Sequence, residues 1–258
     1  MSELGVIEVP IRRNAAGRQL MARIYRPRGQ GPFPALLDLH GGAWTRKDRT
    51  ANEPMDRAIA AAGVLVVAID LTLAGEAPYP ASVQDASYGV RWLKASAAQW
   101  SGDAARVGLL GSSSGGHIAQ LIALRPESGC TVRCVATRSP ISDPYARWQQ
   151  AEKTQREHLI SASKAYFRPW ETIFEGNPQQ ILDRREAAAL PPMLILQGTA
   201  DDNVLPSLQE KFAASYRAAG GDCELVLFEG CEHEWVAQPG PQTERAHETV
   251  KAFLARCL

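Results

Sequence analysis

Three consecutive serines occupy positions 112–114, and only the middle one, Ser113, has glycine two places before it and two places after it. Gly111-Ser112-Ser113-Ser114-Gly115 is therefore a G-x-S-x-G, with Gly116 directly behind it. A serine hydroxyl is a poor nucleophile near neutral pH. It becomes reactive when a base stands within hydrogen-bond reach and a carboxylate orients that base, which is the equipment of acyl transfer. Where the serine sits on a strand-to-helix elbow, the order along the chain is serine, acid, histidine. Of the five histidines, His233 lies in Glu229-Gly230-Cys231-Glu232-His233-Glu234-Trp235, where a base arrives at the top of a sheet. His40 and His117 adjoin glycine motifs, His158 lies in a long inserted segment, and His247 sits inside the last helical stretch. The acid is expected in Gly198-Thr199-Ala200-Asp201-Asp202-Asn203-Val204. Adjacent aspartates alternate in direction, so one of the two faces the histidine. The spacing from the preceding strand favours Asp201, leaves Asp202 as a turn residue, and makes Asp143 the outside candidate.

The tetrahedral intermediate of acyl transfer also needs hydrogen-bond donors for its oxyanion. The amide of Ser114, opening a helix, is one; Gly41 and Gly42 in His40-Gly41-Gly42-Ala43-Trp44 are the others expected. Paired glycines can simply make a turn, and a Ser/Gly-rich loop can lack chemistry altogether. The apolar run 107–110 before the serine and the helical stretch 117–124 after it argue for the functional reading.

The elements that must position these groups follow from pattern. Residues 4–11 and 19–25 read as strands around a turn-prone 14–17, an antiparallel hairpin. Residues 35–39, 64–69, 107–110, 132–137, 193–197 and 225–228 read as further strands. Helical stretches at 51–62, 80–99, 117–124, 206–219 and 242–258 alternate with them. That alternation predicts an α/β fold, a mostly parallel sheet with helices on both faces, in one domain over 1–258. About fifty residues separate the strands ending near 137 and opening at 193, far more than a connection needs. Residues 143–190 therefore read as a helical cap over the C-terminal edge of the sheet, where ligands bind in open α/β folds. Trp148 and Trp170 in the cap, with Trp44 and Trp235 beside the catalytic groups, are the aromatics expected to touch substrate.

Composition narrows the class. Twenty-eight Lys+Arg balance 28 Asp+Glu, so nothing points to a nucleic acid or an anionic membrane as partner. The five cysteines lack C-x-x-C spacing, which argues for reduced thiols in a cytoplasmic protein and against a metal site. Residues 1–10 show no charged and then apolar leader, and no apolar run approaches the ~20 residues of a membrane span. A homodimer stays open.

Taken together, these motifs resemble the α/β-hydrolase superfamily, and within it the esterase/lipase branch with an HGG oxyanion motif, the hormone-sensitive-lipase-like and feruloyl- and acetyl-esterase-like proteins. The segment running from Glu76 through Asp85 to Arg91-Trp92-Leu93 is similar to that branch as well. Two departures stand out. Relatives often carry Asp-Tyr-Arg-Leu-Ala-Pro-Glu where this chain has Asp70-Leu71-Thr72-Leu73-Ala74-Gly75-Glu76, which leaves the support under the oxyanion loop open, and Ala43 replaces a frequent third glycine. The resemblance implies a serine carboxylic-ester hydrolase for small short-acyl esters, working without cofactor or metal. Its rivals are an amidase, formamidase or small peptidase with the same apparatus, and a catalytically silent ligand-binding relative. If Ser113 is the nucleophile, Ser113→Ala abolishes nearly all turnover and stoichiometric labelling by a fluorophosphonate, whereas Ser112→Ala keeps both.

Overall fold

In the computed structural model, which describes residues 4–258, the apolar runs become the strands of one eight-stranded sheet. In chain order these are β1 (Gly5–Arg13), β2 (Gln19–Arg26), β3 (Phe33–Leu39), β4 (Leu65–Ile69), β5 (Gly102–Ser112), β6 (Val135–Arg138), β7 (Met193–Gly198) and β8 (Cys223–Phe228). The order across the sheet is β1-β2-β4-β3-β5-β6-β7-β8; β1, β2 and β4 pair antiparallel, and the pairs from β4 and β3 through β8 are parallel. The first three residues of segment 1–10 lie outside the described residues. Among the described residues no helix is long and apolar enough to cross a membrane.

The central strands are buried on both faces, and their two-residue period sorts side chains between two cores. Leu37, Leu39, Val67, Ile69, Leu109, Val135 and Ile195 face one side, against α2 (Ala81–Ser96), α3 (Ser114–Leu124) and α8 (Pro206–Ala218). Leu36, Val66, Ala68, Leu110, Ala136, Leu194 and Leu196 face the other, against α1 (Glu53–Ala61) and α9 (Pro241–Cys257). Each of these Val, Leu and Ile side chains contributes ~1.5–3 kcal/mol by leaving water, and the alanines less. Their C-terminal ends carry the loops that matter for chemistry.

Boundaries shift where pairing overrides local composition. β5 begins at Gly102, five residues before the apolar run, because Phe33 of β3 pairs with Gly102. β6 begins three residues later than its apolar character suggests. α3 begins directly after Ser113, through Ser114-Gly115-Gly116, residues of weak helix propensity.

Contact explains that early start. A Cβ on Gly115 would lie 2.0 Å from the Leu39 carbonyl oxygen and 2.5 Å from that of His40, and one on Gly111 would lie 2.6 Å from the Gly115 carbonyl oxygen. Helix α3 is thus pressed onto the end of β3 with no room for a side chain. The inserted segment is helical, with α4 (Pro144–Lys153), α5 (Glu157–Tyr166), the short α6 (Thr172–Glu175) and α7 (Pro178–Asp183). It is tied to the body where Tyr166 stacks on Trp44 at 4.7 Å and 5° and its hydroxyl meets Ser82 at 2.8 Å. Gly115→Ala should sit at or beyond the upper end of the ~1–3 kcal/mol range for overpacking and lower the thermal midpoint accordingly. Gly75→Ala, with no atom within 4 Å of the added carbon, should melt close to the parent, and differential scanning calorimetry of both variants checks the pair.

Candidate active site

Ser113, between the end of β5 and the start of α3, has φ 53° and ψ −114°, a conformation side chains rarely adopt. The turn is held on both sides. Its N–H donates to the Arg138 carbonyl on the neighbouring strand at 2.8 Å, and its carbonyl accepts from the N–H of His117 at 3.0 Å. The result separates the three serines. Ser113 Oγ stands 2.9 Å from His233 Nε2, whereas Ser114 Oγ accepts from the Trp44 amide at 3.2 Å. Ser112 lines a different cavity, against α1 and α9.

His233 lies in the loop after β8, and its Nδ1 is 2.8 Å from Asp201 Oδ2. Asp201 follows β7 and is buried. Gln197 Nε2 donates to the same carboxylate oxygen at 3.1 Å, and the amides of Asn203 and Val204 donate to the other at 2.9 and 2.8 Å. Burial is the largest influence on this carboxyl and pushes its pKa up. The hydrogen bond and charge of His233, with the Val204 amide and Gln197, outweigh it and hold the group below the usual carboxylate range. An ionised Asp201 requires a proton on Nδ1, which leaves Nε2 as the acceptor facing the serine hydroxyl.

The other candidates are placed elsewhere. Asp202 is exposed and pairs with Arg156 at 2.8 Å, while Asp201 itself supports the turn assigned to Asp202 from sequence. Asp143 caps α4 through the Ala146 amide and accepts from Asn177. His117 is buried between the Trp44 indole N–H and the Gly176 carbonyl, and burial pushes its pKa down to about 4, so it stays neutral.

The Gly41, Gly42 and Ser114 amides make no hydrogen bond among the described residues. Their loop lies against the serine, since a Cβ on Gly41 would come within 3.3 Å of Ser113 Cβ. Gly42 (φ 106°), Ala43 (φ 51°) and Trp44 (φ 61°) all take left-handed backbone. Gly42 has no substitute, because a Cβ there would lie 2.1 Å from the Arg46 carbonyl oxygen. His40 acts here in a way the sequence did not suggest. Its Nδ1–H donates to the Gly41 carbonyl at 2.8 Å, and in a trans peptide this directs the Gly42 N–H the opposite way. The departing segment after Asp70 still supports the loop. Asp70 accepts from the Arg49 amide at 3.2 Å, and the Ala74 N–H donates to the Trp44 carbonyl at 2.8 Å.

A cavity of about 260 Å³ opens beside Ser113 and His233, walled by Gly42, Ala43 and Arg46 on one side and by Arg147, His158 and Leu159 of the cap on the other. None of the four tryptophans is among the residues that line it, and each packs against other aromatic side chains. Trp44 is buried against His117, Tyr166 and Phe167; Trp148 packs on Tyr145 and Trp170; Trp235 packs edge-on to Phe228. Residues missed from sequence do stand at the site. Buried Arg138 donates to the His233 carbonyl at 2.8 Å, and Arg147 binds Asn203 in the acid loop. No motif marks either one. Which face of the insertion meets the body is decided by packing.

A strained serine between a parallel strand and a helix, facing a histidine and an aspartate from later loops, defines the α/β-hydrolase class. The chain belongs to the alpha/beta hydrolase fold family, whose characteristic sequence pattern matches residues 36–237. It is similar to carboxylesterase NlhH of Mycobacterium tuberculosis, 37% identical over 92 residues; the match takes in 35% of this chain and 29% of that enzyme's length. In structure it resembles the hyperthermophilic esterase of the archaeon Pyrobaculum calidifontis, with TM-score 0.84 and 21% identity over 97% of this chain and 85% of the other. A thermophilic esterase of the planctomycete Thermogutta terrifontis, solved with propionate bound, gives TM-score 0.76 and 25% identity over 98% and 94% of the two chains.

Asp201→Asn should lower kcat by about 10⁴-fold with KM little changed, because the wrong histidine tautomer faces the serine. Asp202→Asn, which removes one exposed ion pair, should stay within about twofold of the parent. Steady-state kinetics on one aryl ester distinguishes them. Since folding holds Asp201 below its ordinary pKa, the stability it contributes is present at neutral pH and lost as pH falls through the carboxylate range, a loss that Asp201→Asn should reduce.

Proposed function

We propose that this protein is a serine carboxylic-ester hydrolase acting on small, short-acyl esters. The observation that carries the reading is the continuous chain from Ser113 Oγ to His233 Nε2 at 2.9 Å and from His233 Nδ1 to Asp201 at 2.8 Å, with the Gly41 loop packed against the serine. Ser113 Oγ attacks the ester carbon as His233 Nε2 takes its proton. Charge gathers on the former carbonyl oxygen, where the Gly41, Gly42 and Ser114 amides receive it, each worth roughly 3 kcal/mol in the transition state. His233 returns the proton to the departing alkoxide, an acyl-enzyme remains, and water activated by the same histidine releases the acid. Asp201 holds the imidazole in the required tautomer and stabilises the transient imidazolium.

The cleft's size supports the substrate range, since about 260 Å³ near the serine accommodates a short acyl chain with part of an alcohol. The propionate in the Thermogutta esterase is consistent with it. Cytoplasmic location belongs to the same proposal, supported by five unpaired thiols. Aryl esters of acids of about two to four carbons should show higher kcat/KM than octanoate or longer esters, with matching anilides slower still. A series of 4-nitrophenyl esters from acetate to laurate tests this, and a profile rising to the long chains overturns the short-acyl reading.

A further inference from the structure

The cap contributes an arginine to the catalytic cleft with no anion to match it. Arg147 of α4 is 2% exposed and lines the cavity beside Ser113 and His233. Its Nε and Nη2 donate to one neutral acceptor, Asn203 Oδ1, at 3.0 and 2.7 Å. Its Nη1 is buried with no hydrogen-bond partner, and one face of the guanidinium lies 5.9 Å from the centre of the Trp44 ring. Among the described residues no carboxylate forms an ion pair with it. Asp201 acts on it only through longer-range attraction, and that carboxylate is already bound by His233, Gln197 and two amides. Burial pulls the Arg147 pKa down to about 10, still far above neutral, so the group is charged in the working protein.

An unpaired buried cation is costly, and the longer-range attraction of Asp201 offsets that cost only in part. Across the cavity Arg46 is exposed and forms no ion pair among the described residues. The remaining acid at the rim, Glu234, pairs with Lys47 at 3.1 Å, and Asp202 on the acid loop pairs with Arg156. Among the described residues neither Arg147 nor Arg46 forms an ion pair, and both line the cavity that opens onto the serine.

The geometry points to a substrate that supplies the missing charge: an ester bearing a carboxylate, drawn in by Arg46 at the rim and held in the field of Arg147. This rests on the esterase reading and names its substrate class. The anion can belong to the acyl part, as in a dicarboxylic acid monoester, or to the alcohol part, as in an ester of a hydroxy acid. Charge complementarity in a walled cleft acts on capture and orientation, so it should appear mainly in kcat/KM.

The test compares charged and neutral partners of matched size. On the acyl side these are monomethyl glutarate and its amide, methyl glutaramate, followed by methanol release; on the alcohol side, 3-acetoxybenzoate and 3-acetoxybenzamide, followed by phenol release. The parent enzyme should favour the anion by roughly tenfold or more in at least one pair. Arg147→Met should bring that ratio to near unity, Arg147→Lys should keep part of it, and Arg46→Ala should lower it mainly through KM and weaken its dependence on salt. Glutarate should also inhibit the parent competitively and more strongly than butyramide, a readout that needs no variant. Equal or inverse preference in both pairs, or a ratio untouched by Arg147→Met, overturns the proposal and leaves Arg147 as a tie between cap and acid loop. Failure to hydrolyse any of these esters would instead overturn the esterase reading.

Discussion

The close approach of helix α3 to strand β3 is the constraint on which the active site depends. Gly115 lies so near the Leu39 and His40 carbonyls that no side chain fits, and Gly111 is closed off in turn by the Gly115 carbonyl. That contact forces the chain to reverse within one residue. The residue at the reversal, Ser113, takes a positive φ and stands clear of strand and helix. The same contact brings the end of β3, and the loop that follows it, against the serine. One steric fact therefore exposes Ser113, opens α3 beside it and positions the loop amides.

Around this point the structure keeps polar groups satisfied where they must hold still and unsatisfied where a substrate would arrive. Asp201 accepts four hydrogen bonds, from His233, Gln197, Asn203 and Val204, and each fixes part of its orientation. Arg138 anchors the backbone of His233, and His40 orients the peptide between Gly41 and Gly42. Against these stand the idle amides of Gly41, Gly42 and Ser114 and the idle Nη1 of Arg147. Buried donors without partners are costly; some lie away from the cleft, at Asn14, Arg23 and Arg49, but that of Arg147 belongs to a group lining the cavity beside Ser113.

The cap joins the body through aromatic packing that also stiffens the loop after β3. Trp44 carries left-handed backbone, stacks on Tyr166, hydrogen-bonds to His117 and accepts from Ala74 at its carbonyl. The loop after β3 is thus clamped between the segment after β4, α3 and the cap. The wall that remains is built of arginine, histidine, leucine and asparagine.

Much of this was legible in the residues. Alternating apolar runs and helical stretches specify a parallel sheet, because strands buried on both faces must be continuously apolar. Glycine at 111 and 115 around Ser113 marks the elbow, because only glycine tolerates such contact. His233 and Asp201 could be chosen because each directly follows a predicted strand, and neighbouring aspartates cannot both face inward. The tertiary structure decided what depends on distant packing. Phe33 pairing with Gly102 extended β5, and the docking of the cap buried Trp44 in the core, packed Trp148 and Trp170 against it, and set Arg147 on the cavity beside the serine. Local pattern tells which face of a helix is apolar, but it carries no record of the surface that face will meet.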